Sequence, residues 1–588
     1  MSRFFFCILI PLLSGGVTIH AQQLKPITTH AYARIKIDLN DYLLAGGSAE
    51  LGGGSDGESS GLGSPSGMGG FPMSGGETST DPKPKKAPPI YYHVNIPVEQ
   101  RIDYFVTGDW IIKHEWGKTW VPKDDIHIVK FQNEKDRFRN EQSRFRKSNK
   151  TPLDYLHLAR FALQRGLLLD FERTMKEMSV QSPNHFAVRA YKDVHKMLKT
   201  APKIMDPRAR ELKARWLQSG TYQEIISEQG HYFMLNKLRD GGKQAKARLQ
   251  EMERTYATFF YWWALHGVVV PPPEYQLVVV LDNDTNHFRA THFDMVGELP
   301  VVDGFTIRRE NVAYLSSQPL SGKYRVLAKN NSADWSRVKK SYEEMLDGER
   351  FPSNDIRDVP KLQTRSLVQK IIEEDVARAH CTQETVNQLL AATEMLPRNV
   401  TTAKWFRYGL SRYFSTPPQA CFPGSGLPDW SLLIDFQVMK ANGSLRTKNP
   451  DSFMLRILTD QNFRDAQKAW KLLKVTRQYN RTQQQQDIAE TTAWALTYHL
   501  MGSHPNQVLT YLKELRELPR DVEYDSRVLA GCFARAFDME NKNSDFPIDL
   551  AKLRRMGSNV ISTMQSATLD VTPLHYPVYE ERLQAGKK

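Results

Sequence analysis

A helix predicted from Ala379 carries the side chains of this chain that are best placed for chemistry. Its sequence, AHCTQETVNQLLAATEML, includes His380, Gln383, Glu384 and Asn387. Residues four positions apart share a helix face, so His380 lies over Glu384 and Gln383 lies over Asn387. A carboxylate can act as a general base, whereas amides are neutral and bind Zn²⁺ poorly compared with imidazole or thiolate. The spacing therefore predicts one acid flanked by two amides on a helix.

The same positions match a zinc-peptidase helix from which the zinc ligands have been lost. In H-E-x-x-H, two histidines bind the metal and the glutamate polarises the bound water, and these positions are here Gln383, Glu384 and Asn387. A second predicted helix reads WFRYGLSRYF from Trp405. Together the two segments resemble the gluzincin arrangement of the peptidase-MA clan. They are most similar to a family of secreted bacterial domains of unknown function, whose intact members read roughly H-E-x-x-H-Q-L.

The resemblance implies a gluzincin-like fold that no longer binds zinc. The second gluzincin helix supplies a glutamate as the third zinc ligand, and Tyr408 stands at that position. We therefore expect no zinc, a vestigial general base at Glu384, and a cleft lined by Gln383, Asn387 and Tyr408. We also expect the Tyr408 hydroxyl to bond Glu384 or Asn387. The alternative is a zinc site formed by His380 and Glu384, with Asn387 adding a carbonyl oxygen.

Three functions follow from these alternatives. The first is a non-catalytic pseudopeptidase that uses its cleft to bind or scaffold an extended peptide or a cell-envelope component. The second is an active metallopeptidase or other hydrolase using His380 and Glu384. The third is a structural envelope protein that binds through a small β-module and a helical spacer. Trp116 and Trp120 of the β-module either form an aromatic binding surface or, as a module this small favours, form its core.

The segments before the helix predict an α+β, multi-domain protein. An apolar strand ends at Asp282, and GFTIRRENVAYL from Gly304 predicts a hairpin, which matches the N-terminal sheet of gluzincin-like folds with its cleft-lining edge strand. The C-terminal part is predicted to be helical. The predicted divisions are a signal peptide (1–21), a short N-terminal segment (22–45), a Gly/Ser/Pro-rich disordered linker (46–89), the β-module (90–130), a tetratricopeptide-like helical spacer (131–215) and the gluzincin-like domain (216–588).

The first residues predict export to the periplasm or the exterior. Arg3 precedes an apolar run from Phe4 to Leu13, and Ala21 offers a cleavage site, as in a secretory signal peptide. No later segment has the length of apolar sequence that a membrane helix needs. The net charge of +13 is spread along the chain and accompanies no nucleic-acid motif, so nucleic acid is not an expected partner.

The cysteines leave one question of pairing open. After the signal peptide the chain retains Cys381, Cys421 and Cys532, an odd number for an oxidising compartment. Cys381 and Cys421 flank the motif and could pair, but sequence does not fix a pairing, and we expect buried free thiols.

Overall fold

The structure is a computed structural model that describes part of the chain. The described residues are 31–38, 91–97, 100–104, 109–114, 117–121, 126–130, 134–145, 150–200, 210–211, 214, 222–237, 242–296, 303–318, 320, 378–415, 425–476, 479–541 and 547–567. The expected signal peptide (1–21), the linker (46–89), Trp116 and Cys421 lie outside them. The described chain is α+β and mostly helical, with a mixed five-stranded sheet, in agreement with the predicted class. It divides into two compact units.

The smaller unit is built from short strands. One three-stranded sheet has the order β2-β1-β6 and another has the order β3-β4-β5. The strands are β1 (Ala31–Asp38), β2 (Tyr91–Pro97), β3 (Gln100–Tyr104), β4 (Asp109–His114), β5 (Gly117–Val121) and β6 (Ile126–Lys130). Because β1 pairs antiparallel with β6, the strand predicted in the short N-terminal segment completes a sheet of the β-module.

The larger unit begins with four helices, α1 (Glu134–Arg144), α2 (Pro152–Gln164), α3 (Leu168–Gln181) and α4 (Phe186–Leu198). Thr151 starts α2 with a capping box: its hydroxyl accepts from the Asp154 amide, and the Asp154 carboxylate accepts from the Thr151 amide. The small and large apolar residues expected to pack, Ala159, Ala162 and Phe171 among them, are fully buried. This segment is therefore helical, as the sequence predicts.

The mixed sheet of this unit has the order β10-β11-β9-β8-β7. The strands are β7 (Gln223–Ile226), β8 (Tyr232–Asn236), β9 (Leu277–Asp282), β10 (Gly304–Ile307) and β11 (Val312–Ser316). β8, β9 and β11 run parallel, while β7 and β10 are antiparallel to their neighbours. The prediction of a buried central strand ending at Asp282 is confirmed, as is the hairpin, whose turn uses the left-handed conformation of Asn311 (φ 54°). β10 stands at one edge of the sheet.

A long helix, α5 (Lys243–Leu265), supplies the centre of the core, and α6 (Thr285–Val296) follows β9. Trp262 and Trp263 of α5 are completely buried, and the Trp262 ring packs edge-on against Tyr413. The apolar end of α5 is thus joined to the second helix of the predicted site.

The remaining helices form the C-terminal part. Residues 378–392 form α7, which carries the Q-E-x-x-N positions. The others are α8 (Lys404–Phe414), α9 (Trp430–Ala441), α10 (Pro450–Leu458), α11 (Gln461–Thr476), α12 (Tyr479–Ser503), α13 (Pro505–Arg516), α14 (Ser526–Ala536) and α15 (Leu550–Ser566). Among the described helices, none combines the length and apolar composition needed to cross a membrane.

Candidate functional site

The residues of the Q-E-x-x-N motif open into a cleft of about 860 Å³. Edge strand β10 forms one wall, α7 and α8 line the cleft beside it, and residues of α6, α11 and α12 complete the lining. His380, Gln383, Glu384, Asn387 and Tyr408 all reach this cleft, so the structure brings the five predicted site residues together.

Strand β10 and helix α7 are in close contact beside Glu384. A Cβ atom at Gly304 would lie 3.2 Å from Cγ of Glu384 and 2.8 Å from Cδ2 of Leu315, so any larger side chain would push strand and helix apart. Gln388 joins α7 to the sheet, because its amide nitrogen donates to the carbonyl oxygens of Val278 (2.7 Å) and Asn311 (2.8 Å). These contacts fix the edge strand against the helix.

The Glu384 carboxylate is held by neutral donors on both sides. The Thr306 hydroxyl on β10 donates to Glu384 Oε2 at 2.5 Å, a length typical of a charge-assisted bond. Nδ2 of Asn387 donates to both carboxylate oxygens, at 3.2 and 3.3 Å. The residue that would be the general base of a zinc peptidase is therefore a hydrogen-bond acceptor within the cleft wall.

The two amides of the Q-E-x-x-N motif line the cleft, and both have hydrogen-bonding groups without a partner in the described chain. Gln383 is only 6% exposed, and its side chain makes no hydrogen bond to any other described residue. Asn387 is 9% exposed, and its Oδ1 has no donor among the described residues. An amide can both donate and accept, so this pair presents peptide-like hydrogen-bonding groups to whatever enters.

Tyr408 lines the cleft, and its hydroxyl is influenced by an acid other than the expected one. Burial and the charge of Glu490 on α12 raise the pKa of the Tyr408 hydroxyl. The described residues show no bond from this hydroxyl to Glu384 or Asn387, so that prediction is wrong. One reason is that α8 packs along α12, which places Glu490 near Tyr408. The other is that the Glu384 carboxylate already accepts hydrogen bonds from Thr306 and Asn387.

His380 is anchored one turn before the motif. Its Nδ1 lies 2.8 Å from Oδ2 of Asp303, and the Asp303 side chain is almost completely buried. The other oxygen of Asp303 accepts from the Leu320 amide, so this carboxylate is fixed in place. With Nδ1 engaged, Nε2 is the ring nitrogen of His380 that remains for a ligand.

These side chains do not make a good zinc site. A protein zinc site uses three or four imidazole, thiolate or carboxylate ligands, and no group of three such residues is found in the described part of the chain. His380 and Glu384 are the two residues of the cleft most like a pair of zinc ligands. Both Glu384 oxygens, however, already accept hydrogen bonds. The oxygen of Asn387, the proposed third ligand, has no donor among the described residues, but it is buried and carries no charge.

One end of the cleft is positively charged. Arg407 and Lys404 of α8 line it together with Arg308 and Arg309 of the turn after β10. Burial, and then the charge of Arg308, lower the pKa of Arg407 to about 10, while the charge of Glu384 acts in the opposite direction. Arg308 itself is fixed by donating to the carbonyl oxygens of Arg398 (3.1 Å) and Val400 (3.4 Å).

Sequence reasoning missed several residues that shape the site. Thr306, Asp303, Arg407 and Glu490 all contact or border the predicted site residues. Arg407 could have been found, because it precedes Tyr408 on the same predicted helix. Thr306 lies in the predicted edge strand, which also could have been searched for polar side chains. Nothing in the local sequence singles out Asp303 or Glu490.

The cysteine prediction is confirmed for two residues. Cys381 and Cys532 are buried free thiols, and burial raises the pKa of Cys381 to about 11. Cys381 therefore carries no thiolate at neutral pH and is not a nucleophile for the cleft.

No protein-family model, no curated protein and no solved structure is significantly similar to this chain.

Proposed function

We propose that this chain is an exported pseudopeptidase, whose cleft binds an extended polypeptide, free or as part of a cell-envelope component, without cleaving it. Export is inferred from the signal-like N-terminus. Periplasm and exterior are both compatible with it. The binding role is inferred from the cleft, and the observation that carries it is the state of Glu384, whose two oxygens accept from Thr306 and Asn387.

Edge strand β10 suits an extended ligand. A strand at the edge of a sheet has backbone N–H and C=O groups on its outer side that an added strand can pair with. Within the described chain, β11 is the only strand that pairs with β10, and β10 residues line the cleft. A polypeptide lying along β10 would bond this backbone independently of its own sequence.

The amides opposite the strand support the same ligand. A buried acceptor without a donor costs about 1–3 kcal/mol, so Oδ1 of Asn387 is stabilised by any ligand, or water, that offers an N–H or O–H group. Gln383 adds a second amide one helical turn earlier. A zinc ion held by imidazoles would polarise the carbonyl of the bond to be cleaved. Amides can hydrogen-bond to a peptide group but do not polarise it for cleavage.

The test is peptide binding by the mature full-length protein. The probe is a pool of N-acetylated, C-amidated hexapeptides of randomised sequence, whose retention on the immobilised protein is measured by mass spectrometry. We expect retention without cleavage, and weaker retention by Asn387→Leu, which keeps the side-chain volume but removes both the Oδ1 acceptor and the Nδ2 donor to Glu384. Trp120→Ala in the β-module is the control and should bind normally. A loss in Trp120→Ala alone would instead favour a structural protein that binds through its β-module, and cleaved peptides would refute the pseudopeptidase.

A second candidate, a metal-dependent hydrolase, is favoured by one observation. Metal-binding histidines commonly donate their other ring nitrogen to a buried carboxylate, and Asp303 holds His380 in this way. Zinc stoichiometry of the purified protein, with Glu384→Ala alongside, separates the candidates. About one zinc per chain that is lost in the variant would establish the hydrolase, and near-zero zinc in both would support the pseudopeptidase.

A further inference from the structure

Several cationic side chains gather at the cleft and at the small cavity beside it. They are Arg308 and Arg309 in the β10–β11 turn, Arg398 in the loop after α7, and Lys404 and Arg407 on α8. None of these five forms an ion pair with a described acid, although the unit contains many surface ion pairs. The charge of Glu384 acts on Arg407 and that of Asp460 on Lys404, but neither acid lies within ion-pair distance of these cations. Like charges that the fold holds together without close ion pairs are typical of a site for an anion.

The cluster is held in place by the backbone. Arg308 donates to the carbonyl oxygen of Arg398 at 3.1 Å, and Arg398 donates to the carbonyl oxygen of Arg309 at 3.2 Å. Asn311 donates to the Gln388 carbonyl oxygen at 3.3 Å, which ties the same turn to α7. Arg407, in contrast, has no hydrogen bond from its guanidinium to any described residue and faces the cleft. The fixed arginines thus surround one guanidinium with free donors.

A second observation places the ligand beside this guanidinium. Asn387 is more than nine-tenths buried, and its Oδ1 has no donor among the described residues. Asn387 and Arg407 line both the main cleft and a small adjoining cavity, together with Thr306 and Arg308. The Asn387 oxygen can accept a hydrogen bond from an N–H group, and the Arg407 guanidinium can bind a carboxylate. The two together are complementary to a ligand that carries both groups. Two acids of the cleft already accept hydrogen bonds from other side chains: Glu384 accepts from Thr306 and Asn387, and Glu490 accepts from Gln486.

From this geometry we infer that the cleft selects polypeptides carrying a carboxylate, which binds at Arg407 while the adjacent backbone N–H bonds Asn387. The inference rests on the proposed function and names its ligand class. The carboxylate is either the C-terminus of the peptide or an aspartate or glutamate side chain. Both are planar anions that a guanidinium binds through two parallel hydrogen bonds.

The experiment uses the full-length mature protein and two versions of the same N-acetylated hexapeptide pool, one with a free C-terminal carboxylate and one amidated. Retention is measured by mass spectrometry at about 50 mM and about 500 mM NaCl, because ion pairing at an open cleft weakens with salt. We expect the acid-terminated pool to be retained about tenfold better at low salt. If instead only peptides containing Asp or Glu are enriched, in both pools, the carboxylate is a side chain and the inference holds.

Variants assign the preference to the cluster. Arg407→Gln should abolish it, Arg407→Lys should keep part of it because the charge remains without the fork, and Arg189→Gln should leave it intact. Arg189 is an exposed arginine of α4 that does not line the cleft. Arg189→Gln therefore removes the same charge as Arg407→Gln, but away from the cleft. Circular dichroism verifies the fold of each variant. Peptides retained with no preference for acids would overturn the inference and leave the proposed function standing, and no retention of any peptide would overturn both.

Discussion

Replacing Gly409 with alanine should destabilise the contact between α8 and α12, which carry Arg407, Tyr408 and Glu490. A Cβ atom at Gly409 would lie 2.5 Å from the Ala493 carbonyl oxygen and 2.8 Å from Cβ of Thr497, with the Thr497 hydroxyl closer still. A backbone oxygen and a Cβ atom cannot move away by a change of rotamer. The helices would therefore have to separate, and the cleft wall that they form would move with them.

The size of the effect follows from two opposing contributions. Overpacking a core costs about 1–3 kcal/mol, and the upper value of about 3 kcal/mol applies when the obstacle is backbone. Alanine is favoured over glycine within a helix by about 1 kcal/mol, which leaves a net loss of about 2 kcal/mol. Gly502, an exposed glycine of α12 with no atom within 4 Å of a built Cβ, is the matched control. Gly502→Ala should stabilise by up to about 1 kcal/mol.

Urea unfolding followed by tryptophan fluorescence measures both variants on one transition. Trp405 of α8 and Trp494 of α12 are fully buried and report on this contact. Because a chain of two units need not unfold in one step, the midpoints of the same transition are compared between variants. The two variants should differ by about 3 kcal/mol. Equal midpoints for Gly409→Ala and Gly502→Ala would refute the close approach of the helices.

Three further predictions test burial and charge in the same unit. Burial, with the charge of a neighbouring histidine, lowers the pKa of His499 from 6.5 to about 4, so folding loses stability as the pH falls below 6.5. Between pH 7.5 and 5.0 wild type should lose about 2 kcal/mol more than His499→Gln in urea unfolding, and equal losses would contradict this burial. Cys381 should resist iodoacetamide at pH 8 in the native protein and react after unfolding, as peptide mapping would detect. Asp429→Asn should cost about 3–5 kcal/mol in thermal or urea unfolding, because Arg412, bonded to it at 2.6 Å, stays buried without this counterion. Asp451→Asn, at a surface pair with Arg554, is the control and should shift the unfolding midpoint far less.

Sequence patterns predicted the elements of the site but not the contacts between them. The periodicity of α7, the second helix from Trp405, the apolar run of β9 and the hairpin from Gly304 are local signals, and all four elements are present. The bonds that determine the chemistry join distant residues: Thr306 is 78 positions from Glu384, and Asp303 is 77 positions from His380. No local period encodes such a pair. The prediction that Tyr408 bonds Glu384 or Asn387 failed for the same reason, because the packing of α8 on α12 determines which residues lie near Tyr408.

The polar residues around Glu384 support the proposal that the cleft binds a ligand. A cleft without a ligand would be more stable if apolar side chains filled it, since removing a buried polar group together with its partner is nearly neutral or stabilising. Here Oδ1 of Asn387 is buried without a donor among the described residues, and cationic side chains lie together around Arg407. Both features cost stability in the free protein. A ligand that donates to Asn387 and neutralises Arg407 would offset both costs.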